Sequence, residues 1–159
     1  MSGRSTAAPP NGRGSSARGR ALLVALVTTV VYVALLVGSY GFISLATDQD
    51  VISEPDAGPL IGPAMVIVAC IVVFVAVLRG LPTARGAVRL PVARSVTAAL
   101  SVYLVGPAVG ATLYALGRHQ AFTAVVFFFH NLGSEFVIAS ALIALIVVFV
   151  LPIVDRPSI

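Results

Sequence analysis

The chain has 159 residues, 58% of them apolar and only 10% charged, and its mean hydropathy is +1.04. Soluble domains carry about 45–50% apolar residues, so this composition excludes a water-soluble globule and a nucleic-acid reader; the single cysteine, Cys70, excludes a disulfide-stapled fold. The formal charge of +4 comes from ten arginines and six acids with no lysine, and the arginines fall in loops where membrane topology accounts for them.

Residues 1–20 are rich in Gly, Ser, Pro and Ala and carry four arginines, which predicts a disordered basic tail. Residues 21–47 hold no formal charge and contain 14 Leu, Ile, Val or Phe. At about −0.3 to −0.6 kcal/mol each, these favour insertion by roughly 4–8 kcal/mol, and they predict a first span, TM1, over about 21–46. Ser44-Leu45-Ala46 has the small-residue spacing of a signal-peptide cleavage site. The apolar stretch is much longer than the 7–15 residues of a usual h-region, however, so an uncleaved span is expected.

Asp48, Asp50, Glu54 and Asp56 then form a short acidic loop with no basic partner, broken by Pro55, Gly58 and Pro59. TM2 is expected over about 59–78, with Pro59 at its first turn and 12 Leu, Ile, Val or Phe. A basic loop carrying Arg79, Arg85, Arg89 and Arg94 follows. TM3, about 95–117, has only eight Leu, Ile, Val or Phe, so it is the marginal span, worth about 2–5 kcal/mol of insertion before its polar groups are subtracted. Gly106 and Gly110 form a small-xxx-small step for close helix approach, and Pro107 removes one helical hydrogen bond. A kinked, protein-facing helix is expected.

From His119 to Val154 the only formal charge is Glu135. One straight helix of that length would run about 54 Å, beyond the roughly 30 Å hydrocarbon core, so the stretch must break. Asn131, Gly133 and Ser134 are the expected break, with Asn131 or Ser134 capping TM4, about 132–153, and Glu135 in its first turn. The Phe-rich segment 120–131 is too short to span and reads as interfacial, re-entrant or an extension of TM4.

These elements predict an all-α membrane protein with four transmembrane helices in one domain, 21–154, and a short tail, 155–159. Nine arginines fall on the side of the N-tail, the TM2–TM3 loop and the C-tail, against Arg118 alone on the other. The positive-inside rule therefore places both termini in the cytoplasm of a cell whose plasma membrane the chain crosses. The halves TM1–TM2 and TM3–TM4 share topology but no residue pattern, so a transporter-type repeat is not indicated.

Few residues offer chemistry. Glu135 is the one acid near membrane depth, which makes it a functional candidate; its place in the outermost turn points to a wet, structural carboxylate at a helix N-terminus. His130 lies close to it in sequence, but His119, His130 and Glu135 lack a metal-ligand spacing, and two histidines in one connection do not suit haem. The acidic loop lacks the EF-hand arrangement. Cys70 sits mid-span, where cysteine acts as a small hydrophobe. No nucleophile–base motif, P-loop or paired catalytic carboxylate is present. No enzyme activity, metal or cofactor is expected.

The stretch GFISLATDQDVISEPDAGPLIGPA, with its Gly-containing end of TM1, Asp-Val-Ile step and Gly-containing start of TM2, resembles the equivalent region of a family of small four-span actinobacterial integral membrane proteins of unknown function. The likeness covers about residues 38–64 and the span layout, and it implies no activity. The function expected from the residues is helix–helix association in the lipid bilayer, as a homo-oligomer or as an accessory subunit of another membrane protein, with the Gly106/Gly110 face of TM3 as the contact. The alternative is a small transporter or channel protomer using Glu135 as its coupling acid.

Overall fold

The computed structural model describes residues 13–48, 60–80 and 91–154. The expected acidic loop beyond Asp48, most of the basic loop and the two extreme tails lie outside the described residues.

Five helices follow in chain order: α1 (Arg13–Thr47), α2 (Ile61–Gly80), α3 (Pro91–Arg118), α4 (Ala121–Leu132) and α5 (Glu135–Val154). No strand occurs among the described residues. Three of the helices, α1, α2 and α3, are each long and apolar enough to cross a membrane, and α4 with α5 forms a fourth such unit bent by 63° at its break. The helical elements expected from the sequence are therefore present, and the long stretch after His119 does break. Boundaries differ in places: Arg79 and Arg94, expected in the basic loop, lie on α2 and α3, Leu132 ends α4 rather than opening the last span, and α1 begins at Arg13, inside the segment expected to lack structure. The Arg-Gly-Ser-Ser-Ala-Arg-Gly-Arg run has no helical periodicity of its own, but once the apolar helix has nucleated, extending it costs far less than starting one.

Helices α1, α2, α3 and α5 form a ring in which each packs on the next, and α4 lies against α3. The chain direction alternates around the ring. Tyr40 near the end of α1, Met65 near the start of α2 and Val137 near the start of α5 line one small cavity, while Arg94 at the start of α3 packs on Gly80, the last residue of α2. One end of the bundle thus carries Asp48, Ile61, Arg118 and Glu135, and the other carries Arg79, Gly80 and Arg94.

The core follows from side-chain size. Ala25, Tyr32, Leu36, Ala69, Val73, Val77, Ala98, Val102, Ala144 and Val148 form its main cluster. Most of these are alanine and valine, with few large side chains among them, which lets the helices approach closely. The outer faces are apolar as well: Leu23, Phe42, Ile67, Ile71 and Leu142 are all exposed. A molecule apolar both inside and out is suited to hydrocarbon rather than to water.

Hydroxyls inside the helices satisfy themselves. Thr28 donates to the Val24 carbonyl (2.6 Å), Thr29 to Ala25 (2.8 Å) and Thr47 to Ile43 (2.8 Å), so their polar groups cost little in an apolar surround.

Candidate functional site

α3 is the helix with the least apolar composition of the three long spans and the most buried one. What covers it is this same chain. A methyl added at Gly110 would lie 2.8 Å from Met65 Sδ of α2 and 3.1 Å from Phe127 Cε1 of α4. Phe127 stacks on Tyr114 at 4.9 Å between ring centroids, and the Arg118 guanidinium sits 5.5 Å above the Tyr114 ring. Ile61, Ala111 and Phe127 form a second, smaller core. The Phe-rich segment, expected as interfacial, re-entrant or an extension of TM4, is a helix that docks on α3 by aromatic packing, and the Gly110 face that was to receive a partner is filled from within.

Gly106 behaves differently from Gly110. It is buried, yet a methyl there would meet nothing within 4 Å, because it borders a cavity of about 20 Å3 with Tyr40, Met65, Val102, Pro107 and Ser140. A space of that size is about that of one water molecule. α3 continues through Pro107 as a single helix.

The break between α4 and α5 is built from backbone carbonyls that lose their helical donors. Tyr103 of α3 donates its hydroxyl to the Leu132 carbonyl at 2.9 Å, which supplies the partner that a continuing helix would have provided. Gly133 has φ −83°, so the break does not use glycine's left-handed freedom. Ser134 precedes α5, and its carbonyl receives the N–H groups of Val137 and Ile138, both at 3.1 Å. Asn131, one of two residues expected to cap this helix, is buried and turns its amide back to the Phe127 carbonyl at 3.0 Å inside α4.

Glu135 is exposed as the first residue of α5, and His130 is exposed in the last turn of α4. His119 is also exposed and takes a positive φ of 55° directly after α3, a left-handed helix end. No group of three or more His, Cys, Asp or Glu converges among the described residues.

The densest polar arrangement in the bundle involves residues that sequence reasoning did not select. Tyr40 and Ser140 share a hydroxyl–hydroxyl hydrogen bond of 2.6 Å, Ser140 donates to the Phe136 carbonyl at 2.6 Å, and Tyr32 reaches the Ser140 carbonyl at 3.4 Å. The Tyr40 ring meets Phe136 edge-on at 5.2 Å. Tyr32 and Tyr40 lie eight positions apart on one face of an otherwise apolar span; that spacing was the available signal. The arrangement pins α1 to α5, and it holds no nucleophile paired with a base.

On the outer side of that same helix pair runs an open groove of about 420 Å3, lined by Ala34, Leu35, Gly38, Ser39, Phe42, Ile43 and Ala139. Methyl groups added at Gly38 or Gly41 would meet nothing within 4 Å. Small residues, Ala34, Gly38 and Ser39 of α1 and Ala139 of α5, thus alternate with Leu35, Phe42 and Ile43 along an open groove that lies mostly on α1.

Residues 15–158 match the model of a family of unknown function, DUF6121. No curated protein and no solved structure matches the chain. With nearly its whole length inside that match, the chain belongs to the DUF6121 family.

Proposed function

We propose that this protein is a non-catalytic, four-span protein of the plasma membrane with both termini in the cytoplasm, and that it works by binding a further transmembrane helix in the groove between α1 and α5. The occupant proposed is the same helix pair of a second copy, giving a homo-oligomer; an accessory role beside another membrane protein would use the same groove. The observation that carries this reading is the groove itself, an open space of about 420 Å3 in which Ala34, Gly38 and Ser39 of α1 and Ala139 of α5 are small. In lipid, where no hydrophobic effect drives helices together, close backbone approach at small residues is what favours association. The nine-to-one arginine split supports the orientation.

The test is the mass of the purified protein–detergent complex by light scattering. An oligomer that becomes a monomer on Ala139→Leu supports the reading, and a monomeric wild type overturns it.

A second reading, a transporter or channel protomer coupled through Glu135, draws on one observation: the acid stands at the break of a bent helix pair, where transporters place their sites. Its exposure favours the helix-terminal role over a coupling acid enclosed by helices.

A further inference from the structure

Arg94 is an exception in a bundle that otherwise satisfies its buried polar groups. Its Nε is the one buried side-chain nitrogen or oxygen among the described residues that lacks a hydrogen-bond partner. The guanidinium lies over the α-carbon of Gly80, the last residue of α2, and any side chain there would overlap it. The neighbouring hydroxyls of Ser95 and Thr97 donate within α3, to the Val92 carbonyl at 2.9 Å and to those of Ala93 and Arg94 at 2.8 and 2.9 Å, and neither accepts from Arg94 Nε.

The electrostatics of this end are one-sided. Arg94 lies in the first turn of α3, at the positive end of the helix dipole, and no acid occupies that turn. Exposed Arg79 adjoins Gly80 on α2. Of the six acids in the sequence, the two among the described residues, Asp48 and Glu135, belong to the opposite end of the bundle; Asp155, which follows α5, lies outside the described residues. A partly buried cation at a helix N-terminus calls for an anion, and the described chain has none to offer.

We propose that Arg94, held over Gly80 at the end of the bundle that also carries Arg79, binds the phosphate of an anionic lipid headgroup. A guanidinium fork matches phosphate oxygens in pairs, and the positive end of the α3 dipole favours an anion at the same place. Clustered arginines at a membrane surface attract anionic lipid over zwitterionic lipid. This inference rests on the chain spanning a bilayer and is independent of the groove between α1 and α5.

The experiment is thermal unfolding of the full chain in mild detergent with added phosphatidylglycerol, phosphatidylcholine or inorganic phosphate. Phosphatidylglycerol should raise the midpoint by several degrees and phosphatidylcholine should not. Arg94→Gln should lose most of the shift, and Arg118→Gln, at the other end, should keep it. An equal shift from inorganic phosphate would retain the site but make free phosphate its ligand. No shift, an equal shift with phosphatidylcholine, or an undiminished shift in Arg94→Gln overturns the proposal. Should Arg94→Gln not fold, Gly80→Ala displaces the guanidinium while keeping its charge, and the same reduction is expected. Native mass spectrometry of the wild type gives the comparison without a variant: preferential retention of phosphatidylglycerol supports the site, and equal retention of both lipids contradicts it.

Discussion

The hydroxyls of Tyr40 and Ser140 meet at 2.6 Å across the α1–α5 interface, joining residues 100 positions apart. Hydrogen bonds between helices in lipid are worth roughly 0.6 kcal/mol on average and up to about 1.7. Tyr40→Phe and Ser140→Ala should each destabilise the bundle by about that amount. Because both remove the same bond, the double variant should cost clearly less than the sum of the two. Unfolding titrations in mixed micelles measure this coupling; strict additivity would mean that the bond contributes nothing.

Gly110 and Gly106 should respond differently to a methyl group. At Gly110 the methyl meets Met65 and Phe127, so Gly110→Ala should lower stability by about 1–3 kcal/mol, as overpacking does. Gly106→Ala points into the small cavity and should be neutral or slightly stabilising. Equal losses at both positions, read as midpoints of thermal unfolding, would contradict the packing described.

Glu135 is exposed at the first position of α5, so its charge serves the helix N-terminus. Glu135→Gln should cost no more than about 1 kcal/mol and leave the bend and the oligomer unchanged. A large loss of stability, or loss of a proton-driven flux in reconstituted vesicles, would favour the transport reading.

The two ends of the bundle should face opposite sides of the membrane. In a Cys70→Ala background, Asp48→Cys should react with an impermeant maleimide in intact cells, while Arg79→Cys should react only after lysis. Labelling of both in intact cells would reject the orientation drawn from the arginines.

The spans were legible because burying some 20 apolar residues in a row leaves few alternatives; the need for a break after His119 was legible from length, and its place from Asn131, Gly133 and Ser134. The placement of α4 was not. Phe127 finds Tyr114 only after the chain turns back at His119, a tertiary contact that no local pattern encodes. The same holds for what fills the Gly110 face: the small-xxx-small step signals close approach, but not whether the approaching atoms belong to α2 and α4 of this chain or to a partner. Tyr32 and Tyr40 read as single polar positions in an apolar span until Ser140 is brought beside them. Arg94 reads as one loop arginine among four until Gly80 is seen beneath it.

The central claim is that α1 and α5 receive a second copy in their groove, and disulfide cross-linking in native membranes tests it most directly. In the Cys70→Ala background, Gly38→Cys should give a dimer on mild oxidation, while Ile71→Cys, exposed on α2 outside the groove, should remain monomeric. A monomer at Gly38→Cys, or cross-linking as efficient at Ile71→Cys, would contradict it.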